Sequence, residues 1–454
     1  MITQLQVKNF KSWADTGNLP LAPLTGFFGT NSSGKSSILQ LLLMLKQTAA
    51  SPDRKRVLNM GDVNSLVDLG TFDDLIHNHD SKNSLDISLS WDYPDRLYIR
   101  DFDTQMRKAF YLTNSLTFSS TIREIGDRIM VDQFSYSSGK YSFGLERKNN
   151  AVNKKNEYAF ITKEYKTKRY QGRPWPLPPP VKCYGFPDEV TGYYQNVGFL
   201  SQFVLKFEEL FRGMTYLGPL REYPRRTYTW AGENLEGVGW KGEQAVPALL
   251  ASQNKGKIIS LGKRKWKQTV EERIAHWLQK MGLIDSFKLN PIAENRKYYE
   301  LLVKITPNSP EVLITDVGFG VSQILPVLVL CYYVPEGSII LLEQPEIHLH
   351  PSAQSWLADV FIEAVKYRNI QIILESHSEH LLRRLQRRIA EEEISADKTA
   401  LYFCRMENSA SHIEQLDIDL FGNIRNWPKD FFGDELGELS KMAEAVMNRE
   451  MKKG

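Results

Sequence analysis

The spacing of apolar positions changes character several times along the chain. Ile2, Leu5 and Val7 lie within a short apolar segment that reads as a strand. Residues 24–28 read as a second strand that runs straight into a glycine-containing stretch, 29–36. From 36 to 47, Ile38, Leu41, Leu42 and Leu45 recur at helical spacing, so a helix is expected there. The residues that follow position 81 differ. Segments 85–91 and 98–102 alternate apolar and polar positions, as half-buried antiparallel strands do. Two polar, basic stretches (147–156 and 163–173) and a proline-rich one (174–180) read as surface loops. This region is expected to be an insertion with a sheet of its own. Residues 242–285 read as helical, with Val270, Ile274, Trp277, Leu278 and Met281 on one face. An α/β pattern returns with apolar segments at 301–305, 338–342 and 370–374. No heptads are sustained, which excludes a long coiled coil, and no internal repeat is present.

Composition narrows the class without naming a function. The chain has 454 residues, 42% of them hydrophobic, which suffices for one large domain with insertions or for two or three domains. The net charge of +3 demands no nucleic acid, so any basic surface must be local. Cys183, Cys331 and Cys404 are far apart, arguing against a disulfide framework or a structural zinc and fitting a reducing cytosol. The N-terminus has no signal-peptide pattern, and the longest apolar run, 324–334, falls short of the roughly 20 residues that span a bilayer. A cytoplasmic protein without membrane contact is expected.

Candidate chemistry concentrates in short segments. Gly29, Thr30, Asn31, Ser32, Ser33, Gly34, Lys35 and Ser36 follow the spacing GxxxxGK[ST] between a strand and a helix. In that context backbone N–H groups and the helix N-terminus converge on phosphate oxygens; Lys35 pairs with the β- and γ-phosphates and the Ser36 hydroxyl ligates Mg²⁺. An apolar strand ending in Glu343, Gln344, Pro345 and Glu346 is placed to supply a metal-organising carboxylate. His348 and His350 have no third ligand nearby and do not read as a metal site. A further apolar strand ends in Glu375, Ser376, His377 and Ser378; a neutral His377 can hydrogen-bond a γ-phosphate or an attacking water. Gly318, Gly320 and Ser322 precede an apolar helical run and offer backbone donors to an anion.

The order of these segments resembles the ABC-type ATPases of the SMC, RecF and OLD (overcoming-lysogenisation-defect) group. Residues 7–12, with Lys11 and Ser12, resemble the opening strand-turn that packs near adenine and phosphates there. Residues 29–36 match Walker A, with Ser37 beside them. Residues 316–323 stand where the ABC signature does, 339–351 look like Walker B with the D-loop, and 376–378 match the switch-histidine loop. More closely, segments 66–75, 216–224, 239–245 and 431–438 resemble bacterial AAA/OLD-like ATPases that carry a C-terminal domain of unknown function. Many such genes lie in prophage and antiviral-defence loci beside a nuclease or toxin gene.

The resemblance implies an α/β fold: an ABC-type P-loop ATPase head of two lobes, with an inserted β-rich subdomain and a helical segment. The expected divisions are an N-terminal lobe (1–80), the insertion (81–215), a connecting and helical segment (216–298), a C-terminal lobe (299–415) and a tail domain (416–454). It also implies ATP and Mg²⁺ as cofactors, and a head-to-tail homodimer in which Gly318, Gly320 and Ser322 of one chain close on the nucleotide held by Lys11, Ser12, Asn31, Ser32, Ser33, Gly34, Lys35, Ser36 and Ser37 of the other. A separate effector, a nuclease or toxin, would be the partner. Two departures stand out. The usual Walker B ending is Asp-Glu; here Glu343 takes the metal-organising role, while Gln344 can orient a water but cannot accept its proton, so Glu346 serves as the base if the loop turns it inward, and otherwise hydrolysis relies on Gln344 or His377 and is expected to be slow. Gly318 stands where the family often has serine. A RecF-like role in DNA maintenance competes through the basic groups Lys255, Lys257, residues 263–267, Arg383, Arg384, Arg387 and Arg388. An OLD-type nuclease would need a further acidic domain, and Asp417 and Asp419 read as part of a polar edge strand instead.

Overall fold

The structure is a computed structural model that describes residues 1–100, 109–148, 157–172, 176–262, 266–293, 297–428, 431 and 435–451. Its centre is a six-stranded sheet in the order Met214–Leu217, Ile339–Glu343, Gln371–Glu375, Leu24–Gly29, Thr399–Glu407 and Ala410–Gln415. All neighbours are parallel except the last hairpin. Ile339–Glu343 and Gln371–Glu375 are buried at every position, which is why the sequence shows them as unbroken apolar runs rather than alternating ones.

Alternation survives in the choice of face. Leu341, Ile373, Phe27 and Tyr402 point into one core, which they share with the helix Lys35–Ala50. Leu342, Leu374, Phe28 and Phe403 point into a second core, filled by helices Phe319–Tyr333, Pro351–Arg368 and Glu379–Ala390. Glu343 and Glu375 continue the first series, so both carboxylates emerge on the side of the helix that begins at Lys35. In that helix Ile38, Leu41, Leu42 and Leu45 are all buried, as their spacing requires.

The first core is closed by a large antiparallel sheet. Its order is Trp13–Asp15, Ile2–Phe10, Leu85–Arg100, Ala109–Glu124, Ile129–Ser138, Tyr141–Lys148 and Glu157–Lys163, with Leu19–Pro20 also against Ile2–Phe10. The strands expected to form a separate sheet therefore continue from the N-terminal strand: Val7 pairs with Ile87 and Leu5 with Leu89. Local alternation marks a strand but not its partner, and this pairing covers an edge that Ile2–Phe10 would otherwise leave open. The amphipathic helix Leu200–Arg212 packs on the same core, Phe207 lying 4.8 Å from Phe118 and Phe203 5.8 Å from Tyr136, centroid to centroid. Trp91, Tyr93 and Phe118 are buried, so these aromatics are core. The side chains of Phe110 and Tyr111, and most of residues 147–156, lie outside the described residues.

The segment 242–285 is interrupted. Helices Ala245–Asn254 and Val270–Lys280 flank a small hairpin of Ile258–Ile259 and Gln268–Thr269. Thr269 and Glu272 form a capping box that starts the second helix, and Val270, Ile274, Trp277, Leu278 and Met281 are all buried. Glu363 gathers this region: it pairs with Arg273 and accepts from the Tyr332 hydroxyl at 2.7 Å. The segment 301–305 does not enter the central sheet. Tyr298–Lys304 pairs with Ser286–Pro291, Glu311–Leu313 and Tyr228–Thr229 in a separate antiparallel sheet. Its burial pattern alternates, unlike the parallel strands, and a short apolar run hides that distinction. Phe431 stacks 4.6 Å from Phe403 and anchors the tail that leads to the helix Glu435–Met451. Among the described residues no helix is long and apolar enough to cross a membrane, and the three cysteines are free and buried.

Candidate functional site

The carboxyl ends of the parallel strands carry the site, the usual place for a ligand on an open α/β sheet. The stretch 29–36 turns tightly between Leu24–Gly29 and its helix. Gly29 and Gly34 hold φ of +133° and +86°, and a Cβ on Gly29 would lie 1.9 Å from the Cys404 carbonyl oxygen. A Cβ on Gly34 would lie 2.5 Å from Ser411 Oγ and 2.7 Å from Ser12 Oγ. Those two hydroxyls bond each other at 2.6 Å, and Trp13 Nε1 donates to the Gly34 carbonyl at 3.0 Å. The N-terminal and C-terminal hairpins thus clamp the loop, which gives Ser12 its place beside it.

The loop opens on a cavity of about 360 Å³ lined by Lys11, Ser12, Asn31, Ser32, Ser33, Gly34, Lys35, Ser36, Ser37, Gln40, Gln344, Glu375 and His377. Lys35 Nζ donates back to the Thr30 carbonyl at 2.6 Å and the Gly29 carbonyl at 3.2 Å. Burial lowers its pKa, against the charges of Glu375, Cys404 and Glu346. Lys11 Nζ donates to Gln40 Oε1 at 2.7 Å. A cradle of backbone N–H groups, serine hydroxyls and two lysines suits a polyphosphate, and Ser36 with Glu343 offers the oxygen donors that Mg²⁺ takes. The residues fit both groups.

Glu343 sits behind this wall, 8% exposed, with Oε1 accepting from the Tyr216 hydroxyl at 3.0 Å. Burial and then the neighbouring Glu375 push its carboxyl up to about 7. Gln344 adopts φ of 44°, a left-handed conformation uncommon outside glycine. Its N–H donates to the Glu375 carbonyl at 2.9 Å and its carbonyl accepts from Arg221 Nη2 at 3.3 Å, so main-chain bonds fix the turn, and Gln344 is one of the residues that line the cavity. Glu346 is outside the cavity lining. It is 7% exposed, its Oε1 accepts from the His377 N–H at 2.7 Å, and its Oε2 is buried without a partner. Burial raises its pKa, against the donation from His377 and the Arg221 charge. His377 also lines the cavity; partial burial and then the Lys35 charge lower its pKa, which favours the neutral ring.

Gly318, Gly320 and Ser322 are elsewhere. They open the helix Phe319–Tyr333 and do not line this cavity. Gly318 is exposed with nothing within 4 Å of a would-be Cβ, whereas Ser322 is buried and donates to the Phe319 carbonyl at 2.8 Å, committing its hydroxyl inside the helix. Tyr223, 75% exposed, lies close by, its ring tilted against that of Phe319 at 5.2 Å between centroids. His348 packs on Phe319, and His350 caps the next helix; no metal-binding cluster of histidine, cysteine or carboxylates occurs among the described residues.

The basic groups weighed for DNA are mostly committed. Arg383 pairs with Glu379 at 3.1 Å, Arg387 with Glu391 at 2.7 Å, and Arg384 and Arg388 both with Asp359. Lys257 donates to the Tyr333 and Val334 carbonyls. Lys263, Arg264 and Lys265 lie outside the described residues. Asp419 accepts from the N–H groups of Phe421 and Asn423 in a turn, not in the polar edge strand expected for it. Sequence reasoning assigned no role to Gln40, Glu375, Tyr216 or Arg221. Glu375 had a signal: it ends an apolar strand beside His377, as Glu343 ends its own.

A family model described as an AAA ATPase domain matches residues 1–172 and 252–382. The chain belongs to that ATPase family. As a member it is an ATP-binding ATPase with an α/β P-loop head. A second model, described as a protein of unknown function (DUF3696), matches residues 394–442. None of the curated proteins matches. Among solved structures the chain is similar to an SMC head bound to the C-winged helix domain of ScpA, with a TM-score of 0.46 at 12% identity over 92% of this chain and 98% of that one. It is similar also to the SMC head domain from Thermotoga maritima (0.39, 11%, 92% and 99%). A third is the Pyrococcus furiosus Smc head with an extended coiled coil, bound to the C-terminal domain of ScpA (0.38, 11%, 98% and 99%).

Proposed function

We propose that this ATPase is a slowly turning, nucleotide-gated sensor and scaffold in bacterial anti-phage defence, which controls a separate effector such as a nuclease or toxin. The observation that carries the reading is Gln344. It occupies the cavity wall where a general base would serve, and an amide orients water without taking its proton. Glu346, the next carboxylate along the chain, is outside the cavity lining and accepts the His377 N–H through one oxygen, which makes it a positioning group for the switch loop. In this scheme Mg²⁺ screens the phosphate charge when bound, held by Ser36 and Glu343. Lys35 and the loop N–H groups hold the β- and γ-phosphates, and neutral His377 donates toward the γ-phosphate. ATP then acts as a clamp rather than a fuel.

The clamp needs a second chain. Gly318 and Gly320 lie outside the cavity of their own subunit, and Gly318 is exposed beside Phe319, on which the exposed Tyr223 packs, which suits an isologous pairing across two nucleotides. The largely buried ion pairs of Arg384 and Arg388 with Asp359 weigh against the DNA-maintenance alternative. The test is co-expression with the product of the adjacent gene. A stoichiometric complex that tightens or releases with ATP is expected; an effector that binds and acts identically with Lys35→Ala would overturn the reading.

A further inference from the structure

Glu375 has no role in the scheme above, yet it is the one carboxylate among the described residues that lines the phosphate cavity. It ends the strand Gln371–Glu375, which lies between the strand of the phosphate loop and the strand of Glu343. In the parallel register Glu375 is paired with Glu343 on one side and Phe27 on the other. Paired residues on neighbouring parallel strands face the same way and sit about 5 Å apart. Two carboxylates are thereby set side by side on the face where Lys35 and Ser36 begin their helix.

Glu375 is 3% exposed and its Oε2 is buried with no hydrogen-bond partner. Among the described residues no ion pair satisfies it: Lys35 donates instead to the Gly29 and Thr30 carbonyls, and the other lysine of the cavity, Lys11, donates to Gln40. A buried carboxylate without a donor is costly unless a cation meets it. Glu343 shares the want, since its one donor is the Tyr216 hydroxyl.

We infer that Glu375 is a ligand, direct or through one water, of the divalent cation, and that the cation site is a two-carboxylate site made by Glu343 and Glu375. The inference rests on the nucleotide reading and extends it. The second carboxylate adds a negative charge that a single Walker B acid does not supply, so the site should hold Mg²⁺ or Mn²⁺ before phosphate arrives and should bind the metal more tightly once it does.

The test is Mn²⁺ binding followed by electron paramagnetic resonance, on the full chain, with Mn²⁺ alone and with Mn²⁺ plus a non-hydrolysable ATP analogue. Glu375→Gln keeps the shape and removes the charge; Glu375→Asp keeps the charge. Wild type should bind Mn²⁺ in both conditions. Glu375→Gln should weaken it by about tenfold or more in both, the scale on which metal sites lose affinity when a supporting group is removed. Glu375→Asp should recover part of the loss. Equal Mn²⁺ affinity for Glu375→Gln and wild type would overturn the inference and leave the nucleotide reading intact. Unchanged Mn²⁺ binding with weakened metal-free binding of the analogue would also overturn it, by showing that Glu375 serves Lys35. A wild type that binds no analogue under any condition would instead sink the nucleotide reading itself.

Discussion

If Gln344 is what holds turnover down, restoring an acid there should release it. Glu is isosteric with Gln, and the turn is held by main-chain groups: the Gln344 N–H to Glu375 and its carbonyl to Arg221. Gln344→Glu should therefore fold as wild type does, with a carboxylate at a position that lines the cavity. General-base assistance is worth roughly 10²–10⁴ in rate, which is about 3–5 kcal/mol off the barrier. The structure also sets an opposing effect. Glu343 and Glu375 already stand together, and their proximity contributes to pushing Glu343 up to about 7. A third carboxylate will feel the same repulsion and stay protonated to higher pH, so the gain should grow between pH 6 and pH 8 and lie toward the lower end of the range at neutrality. The assay is single-turnover phosphate release at saturating ATP and Mg²⁺, with Lys35→Ala as the blank. A Gln344→Glu rate within about threefold of wild type, with equal ATP occupancy, would refute the reasoning: Gln344 would then not be the brake.

Three further outcomes follow from the same geometry. Lys35→Ala should abolish nucleotide binding measured by fluorescent-analogue titration, and retained binding would remove the phosphate-loop assignment. Glu346→Gln should leave turnover within about threefold, because the amide oxygen still accepts from His377. It should also change the pH dependence of stability. Burial raises the Glu346 pKa, against the Arg221 charge, so the folded state favours the protonated acid and its contribution is lost as pH rises above the ordinary carboxylate range. Urea denaturation should then show Glu346→Gln gaining on wild type from pH 5 to pH 8, and a gap that narrows instead would contradict this. Glu363→Ala strips the partner from Arg273 and the acceptor from Tyr332, both buried. It should cost about 3–5 kcal/mol in the same assay, and a loss below about 1 kcal/mol would show that the pair is dispensable.

Much of the candidate phosphate cradle was legible because its constraints are local. Gly29 and Gly34 are glycines because their backbones demand it, and the helix after them announces itself through Ile38, Leu41, Leu42 and Leu45. The buried strands ending at Glu343 and Glu375 read as apolar runs for the same reason. Non-local pairing was not legible. Nothing in the alternation around Ile87 and Leu89 says that their partners are Val7 and Leu5 some eighty residues earlier. Nor does a run such as 301–305 reveal that it joins a small antiparallel sheet. The adjacency of Glu343 and Glu375 likewise comes from strand register, and the Tyr216 and Arg221 contacts come from a fifth parallel strand whose turn folds back over Gln344.

The claim that one site is assembled from two chains has a direct test in mixed subunits. Lys35→Ala removes the phosphate grip of a chain but leaves its Gly318 face; Gly318→Glu places a negative charge on that face, in open space at a backbone φ of −56° that any residue adopts, and leaves the phosphate loop intact. Each variant alone should be inactive in ATP hydrolysis. A one-to-one mixture that pairs at random should recover about a quarter of wild-type turnover per chain, since half the dimers carry one whole site of two. A mixture as inactive as its components, although both are folded and the wild type is active, would contradict the two-chain site.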